Sequence, residues 1–367
     1  MKDEIAVAFL AEVVESSSFY EHRKYFQNMA AYKYDGYQQY FAGKRFIESF
    51  ALWLKRFNEE DRKIALKFIR EKLIYISNEE MNALVSSCYQ DKIKNILVTI
   101  ISKEQGIPHY KISQITKSKE FEVLLRQSLF CGLSDGARID VFRRANPGII
   151  SHEQIYQTYE LSMVRANKMR DELIEDVKNK LGNEMCDNQS RFKLLFLLDD
   201  FSASGSSYLK INDEKQLKGK VAALYDSIYK ENSDLKSVFD IDNLEIHIIL
   251  YLCTQQAEEN IRSVIPEITK KYPTTPELHV LHLINHSVRI TSPRDQEIID
   301  ICNKEQYYDK KIEDKHTTGA VKLCYRNCAL PLVLEHNTPN NSLSILWAYE
   351  NLNFVGLFPR IPRHREI

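Results

Sequence analysis

No apolar stretch in this 367-residue sequence reaches the roughly 20 residues that a membrane-spanning helix needs. The first residues, MKDEIAVAFLAEVVESSS, lack the basic lead and long apolar core of a secretory signal. An excess of either charge is also missing, since 50 Lys and Arg stand against 51 Asp and Glu. No basic field therefore advertises a nucleic-acid surface. The seven cysteines are scattered, odd in number and form no CxxC pair, which excludes a disulfide framework. Cys324 and Cys328 are the closest pair, with no histidine at ligand spacing beside them, so buried thiols in a reducing, cytoplasmic compartment are expected. A P-loop is lacking too: Gly36 and Gly43-Lys44 are separated by six residues and followed by Arg45, where GxxxxGK[ST] requires four and a hydroxyl. No repeat period stands out.

What is present centres on residues 194–207, LLFLLDDFSASGSS. A short continuous apolar run fits a strand buried on both faces of a parallel sheet. Asp199 and Asp200 then fall at its carboxyl end, where open α/β sheets bind ligands. The loop Ala203, Ser204, Gly205, Ser206, Ser207 has no bulky side chain before Tyr208, so its backbone N–H groups are able to close around an anion. Two carboxylates beside such a cradle suit a diol or Mg²⁺ next to a phosphate. An apolar strand ending in two acids also resembles a Walker B segment, but the small-residue tail does not.

Around this stretch the sequence alternates strand and helix. Residues 129–133 read as a short strand, Ser134-Asp135-Gly136-Ala137 as a small-residue turn, and 138–145 as a helix stopped by Asn146-Pro147-Gly148. Ser151 and Gln154 form a capping box that predicts a helix running to about residue 180. Residues 215–230 and 254–268 read as helices, 244–252 as a buried strand and 277–285 as a further strand. Strands alternating with helices of about a dozen residues give a parallel α/β sheet. Residues 1–119 read as mostly helical, with apolar stripes such as Ile47, Phe50, Trp53, Leu54 and Phe57. A tyrosine-rich segment there, including Tyr34, Tyr37 and Tyr40, fits helix packing or a protein contact better than base stacking. Near the C-terminus, Glu335-His336-Asn337-Thr338-Pro339-Asn340-Asn341 lies between two apolar runs. Asn and Pro are ordinary turn residues. The functional alternative is an acceptor pocket, with amide edges from Asn337, Asn340 and Asn341 and acid/base candidates in Glu335 and His336.

The pattern of apolar run, two acids, apolar residue, two variable residues, Ser/Thr, Gly, variable residue and Ser/Thr resembles the phosphoribosyl-pyrophosphate (PRPP) motif of type I phosphoribosyltransferases. GLSDGARIDVFRRAN, LLDDFSASGSS and LVLEHNTPNNSLSILW followed by LFPR together look like one branch of that fold, PRTase-CE, found in bacterial conflict and defence gene clusters. This resemblance spans about residues 120–360. It implies a type I phosphoribosyltransferase-like core in residues 120–367, an acceptor-pocket or hood-like segment at 320–360, and a helical extension before it. It further implies that Asp199 and Asp200 hold the ribose hydroxyls and Mg²⁺, and that Ala203–Ser207 wrap the 5′-phosphate. Ser134–Ala137, with Arg143 and Arg144, would meet pyrophosphate. The expected activity is Mg²⁺-dependent phosphoribosyl transfer from PRPP or a related nucleotide, within an antiviral defence system whose operon supplies protein or nucleic-acid partners; a non-catalytic sensor or interaction subunit is the alternative. Ala203 departs from the purine-using members, which carry an Asp there, so a purine-type proton transfer is put in doubt.

Overall fold

The computed structural model describes residues 3–14, 18–157, 163–181, 190–231, 233–313, 322–349 and 353–361. The chain divides into two compact units, Met1–Glu80 with Asn285–Ile367, and Met81–Ile284. Among the described residues no helix is long and apolar enough to cross a membrane.

The second unit carries a sheet of five parallel strands. These are β1 (Ser128–Gly132), β2 (Ile155–Tyr156), β3 (Leu194–Ser202), β4 (Glu245–Thr254) and β5 (Glu277–Ile284). Their order is β2-β1-β3-β4-β5. Helices flank the sheet: α1 (Lys119–Arg126) leads into β1, α2 (Ile139–Ala145) follows it, and α3 (Met163–Leu181) precedes β3. α4 (Lys220–Tyr229) and α5 (Gln255–Lys271) connect β3 to β4 and β4 to β5. Leu194 through Asp200 are all buried, which is why β3 is apolar on both faces up to the acids. From β1 the chain turns one way to β2 and then the other way to β3. The crevice opened by that reversal lies at the carboxyl ends of β1 and β3.

The first unit is assembled from both ends of the sequence. Helices Ser18–Tyr32, Phe46–Leu54 and Glu59–Glu71 pack Phe26, Phe46, Phe50 and Trp53 into one core with Trp347, Leu357 and Phe358. The strand Ile74–Ile76 pairs in parallel with Leu332–Leu334. Trp53 Nε1 donates to the carbonyl of Ile345 at 2.9 Å. Tyr34 and Tyr37 are buried among these rings, so the tyrosine segment is chiefly packing.

Three details differ from the sequence reading. The division does not fall at residue 119: residues 81–119 belong with the sheet, and the segment 320–360 belongs with the N-terminal helices. A change in composition marks a change in local character, whereas a unit is defined by which apolar faces meet, here across more than 250 residues between Ile76 and Leu332. The capping box at Ser151 and Gln154 caps a single 3₁₀ turn, His152–Gln154, which leads into the edge strand β2 rather than a long helix. Residues 215–219 are not helical: Lys210–Ile211 and Leu217–Lys218 form a small hairpin, and Gly219 (φ 112°) starts α4 one residue later. A Cβ at Gly219 would lie 2.3 Å from the carbonyl oxygen of Tyr208, so the turn closes only on glycine.

Candidate functional site

The two adjacent acids at the end of β3 have different surroundings. Asp199 is 1 % exposed. Its Oδ1 accepts the hydroxyl of Ser134, the first residue of the β1 turn, and the N–H of Asp200 at 3.1 Å. Its Oδ2 lies 2.7 Å from the Tyr208 hydroxyl and 3.3 Å from Lys220 Nζ. The Tyr208 oxygen is also 3.0 Å from the Phe201 carbonyl, but its single proton serves the carboxylate better. Burial, then the charge of Asp200, pushes the Asp199 carboxyl up to about 6, while Lys220, Ser134 and Tyr208 pull it back. The same burial and carboxylates hold the Tyr208 phenol well above its ordinary range, so it remains a donor.

Asp200 keeps 8 % of its surface. Its Oδ1 accepts the N–H of Phe201 at 2.8 Å. The other oxygen lies against the β1 turn: a Cβ on Gly136 would be 2.3 Å from Oδ2. Gly136 is therefore glycine because the turn and the carboxylate share that space. Register explains the meeting, since β1 pairs with β3 up to Gly132 opposite Leu198, and Leu133 N–H donates to the Leu198 carbonyl at 2.9 Å.

The loop after β3 is held from below by α5. Thr254, the N-cap of α5, donates its hydroxyl to the Ala203 carbonyl at 2.6 Å and accepts the N–H of Ala257. Asn260 Nδ2 donates to the Ser204 carbonyl at 2.9 Å. Gly205 has φ +76°, and a Cβ there would approach the Ala257 carbonyl to 2.9 Å. The Ser204 and Ser206 hydroxyls are 2.9 Å apart. Among the described residues, no acceptor takes a hydrogen bond from the backbone N–H of Ser204, Gly205, Ser206 or Ser207. Four successive N–H groups without a protein acceptor stand in a small-residue loop at the sheet's carboxyl edge, the kind of backbone that nests use for anions.

A family model, PRTase-CE, matches residues 51–360. The chain belongs to the PRTase-CE family. It has a phosphoribosyltransferase-like fold, and the match begins well inside the N-terminal helices, which are thus not wholly an appendage to the family's sequence. No curated protein and no solved structure gives a significant match.

Within this PRTase-CE chain, Ser134, Asp135, Gly136 and Ala137 form a 3₁₀ turn directly beside the acids, with the Ala137 carbonyl held by the Tyr251 hydroxyl at 2.9 Å. Arg143 and Arg144 sit in the last turn of α2, at the end away from that turn, and Arg144 pairs with Asp140 on the surface. Neither arginine has a described contact with Asp199 or Asp200. Sequence reasoning passed over Tyr208 and Lys220. Tyr208 had a signal, being the first bulky residue after the small loop. Lys220 had none, because only the hairpin at residues 210–218 brings its ammonium back beside Asp199 and over the Tyr208 ring at 5.5 Å.

The C-terminal candidates belong to the first unit. Glu335 Oε2 accepts the N–H of Asn78 at 2.8 Å, at the start of the helix Asn78–Cys88, and its carboxylate packs on Gly36. The His336 carbonyl accepts from Gln39 Nε2 at 2.7 Å. Asn341 Nδ2 donates to the Tyr325 carbonyl at 3.2 Å, and the Asn340 carbonyl accepts the Tyr325 N–H. Asn337 Oδ1 is buried with no hydrogen-bond partner among the described residues. These contacts are those of a folded turn, and Thr338, fully buried beside Tyr37, is its centre.

Proposed function

We propose that this protein binds a phosphoribosyl compound, PRPP or a relative, at the carboxyl edge of β1 and β3 and transfers or hydrolyses its phosphoribosyl group. The observation that carries this reading is the run of four N–H groups, Ser204 to Ser207, following two carboxylates at the switch point of the sheet. The nest would hold the 5′-phosphate, which positions the sugar without reacting. Asp200, the more exposed acid, would accept a ribose hydroxyl. Asp199 would act through its neighbours, holding Ser134 and the β1 turn against β3 and keeping Lys220 near the leaving group. As the bond at the anomeric carbon breaks, positive charge grows on the ring, and a pair of buried carboxylates lowers the energy of that charge. The turn Ser134–Ala137 would meet pyrophosphate through backbone N–H groups other than that of Ala137, which donates to the Ser134 carbonyl, while the Ser134 hydroxyl is given to Asp199.

The donors at the strand end are carboxylate oxygens, the hard set that Mg²⁺ takes one or two at a time alongside substrate phosphates. Asp200 would hold it, with Asp199 joining if Lys220 moves to the phosphates, and the bound ion would neutralise charge on leaving pyrophosphate. No step is assigned to Glu335 or His336. An effector or processing role in a bacterial defence system, with partners from the same operon, follows from the family resemblance and forms part of this proposal.

A second reading, binding without turnover, is favoured by one observation. Ala203 is 4 % exposed, with its carbonyl tied to Thr254, so no acid stands there to move a proton to or from a base. Calorimetry and phosphorus NMR with PRPP and Mg²⁺, on wild type and on Asp199→Asn/Asp200→Asn, separate the two. Binding lost in the double variant and pyrophosphate formed only by wild type are expected. Binding without pyrophosphate would support the sensor reading, and no binding at millimolar PRPP would overturn both.

A further inference from the structure

A second cluster with the chemistry of a ligand site lies at the opposite end of the sheet. β4 and β5 begin with Glu245-Ile246-His247 and Glu277-Leu278-His279. His247 pairs with Glu277, and Ile249 with His279. Residues two apart along a strand share a face, so this register puts both carboxylates and both imidazoles on one face of two neighbouring strands. His247 Nδ1 is 3.2 Å from His279 Nε2 and 3.8 Å from Glu277 Oε2. His279 Nε2 is 3.6 Å from the same Glu277 oxygen. Bonds of about 2.0–2.2 Å to a tetrahedral zinc set its ligands roughly 3.3–3.6 Å apart. The triangle of two nitrogens and one oxygen is thus close to one face of such a tetrahedron.

An ordinary hydrogen bond between two imidazoles would account for the 3.2 Å contact alone. It does not account for a carboxylate oxygen placed almost equally far from both nitrogens. A second observation points to a ligand. His247 is 2 % exposed, stacked on the Phe196 ring at 5.1 Å, and its Nε2 has no hydrogen-bond partner among the described residues. The nearest carboxylate to that nitrogen is Glu245, 3.5 Å away. A histidine that presents one nitrogen to a metal directs its other N–H to an outer carboxylate, and that partner fixes the tautomer. His279, with a fifth of its side chain exposed, and Glu277, two-thirds exposed, leave the cluster open to solvent. Lys92 and Arg262 bear on His279 from neighbouring helices. Arg262 is engaged by Glu258 at 2.8 Å.

We propose that His247, His279 and Glu277 bind a borderline divalent cation of the zinc class, with Glu245 as the outer partner of His247 and water in the remaining position. Imidazole and carboxylate in this geometry suit Zn²⁺ rather than Mg²⁺. The site is separate from the phosphoribosyl site. Phe196 pairs with His247, and Asp199 lies three residues further along β3, about 10 Å at the usual rise, on the other face of the strand. The metal would join the starts of β4 and β5, a structural role at the sheet edge that takes no part in the chemistry.

The test uses full-length protein stripped with a chelator. Zn²⁺ is titrated against a chromophoric competitor, and Co²⁺ reports coordination through its visible bands. The expected result is one equivalent of Zn²⁺ in wild type, weakened at least about tenfold in His279→Gln and in Glu277→Gln and unchanged in Asp199→Asn/Asp200→Asn. His247→Gln should lose the metal as well; because that side chain is buried, the two more exposed variants stand if it fails to fold. Bands of four-coordinate Co²⁺ without sulfur charge transfer are expected. Zn²⁺ binding equal in wild type and His279→Gln, absent from wild type, or accompanied by thiolate bands would overturn the proposal.

Discussion

Asp199→Asn should make the protein more stable while removing its ligand. Folding raises this carboxyl from the ordinary carboxylate range to about 6, mainly through burial. Between about pH 4 and 6 the folded state therefore holds more protons than the unfolded state, and stability falls as pH rises through that window and stays lower above it. The rise corresponds to about 3 kcal/mol at neutral pH. Asn keeps the shape and abolishes the charge. Its Oδ1 still accepts from Ser134, its Nδ2 donates to the Tyr208 oxygen, and the Tyr208 proton turns to the Phe201 carbonyl. Lys220, a quarter exposed, moves to water. The variant should exceed wild type by roughly 1–3 kcal/mol at about pH 8, with the difference shrinking toward zero near pH 4. Both tryptophans, Trp53 and Trp347, lie in the first unit, so urea unfolding should be followed by far-ultraviolet circular dichroism rather than tryptophan emission. An Asn variant less stable than wild type at about pH 8, or a difference that does not change with pH, would refute the reasoning.

Gly136→Ala should act on the ligand more than on the fold, because its Cβ displaces the Asp200 carboxylate: PRPP affinity measured by calorimetry should fall at least about tenfold, roughly 1.4 kcal/mol, with a smaller change in melting temperature. Tyr208→Phe removes a buried donor from Asp199 and should cost about 1–3 kcal/mol in urea denaturation at neutral pH, with less loss in acid, where the carboxyl is protonated. Glu335→Gln weakens the acceptor at the Asn78 N–H and should lower stability by about 1 kcal/mol, read as a shift in the thermal midpoint.

The sheet was legible because its central strands are buried on both faces, which leaves continuous apolar runs such as residues 194–198. The acids and the serine loop were legible for the same reason, as abrupt polarity where such a run ends. Lys220 was not, since its approach to Asp199 depends on a hairpin folded by Gly219 rather than on any local spacing. The His247 and His279 pair was hidden inside two apolar strands, where a polar residue every second position looks like an ordinary alternation. Glu335 through Asn341 stood out as an unusual polar cluster, but its side chains bond within the first unit, Asn341 to the Tyr325 carbonyl, Glu335 to the Asn78 N–H and Thr338 to Tyr37. The division into units was the least legible feature, because pairing of Ile74–Ile76 with Leu332–Leu334 leaves no trace in either segment alone.

That pairing sets an order of events during synthesis. The sheet unit, Met81–Ile284, is contiguous and has all its strands once Ile284 has left the ribosome. The helices carrying Phe26, Phe46, Phe50 and Trp53 emerge first but gain Trp347 and Phe358 last. At about 5–20 residues per second, the strand Ile74–Ile76 waits roughly 13–50 s for its partner. Over that interval the earliest part of the protein presents its aromatic core to the cell, and chaperone binding to nascent chains should concentrate there.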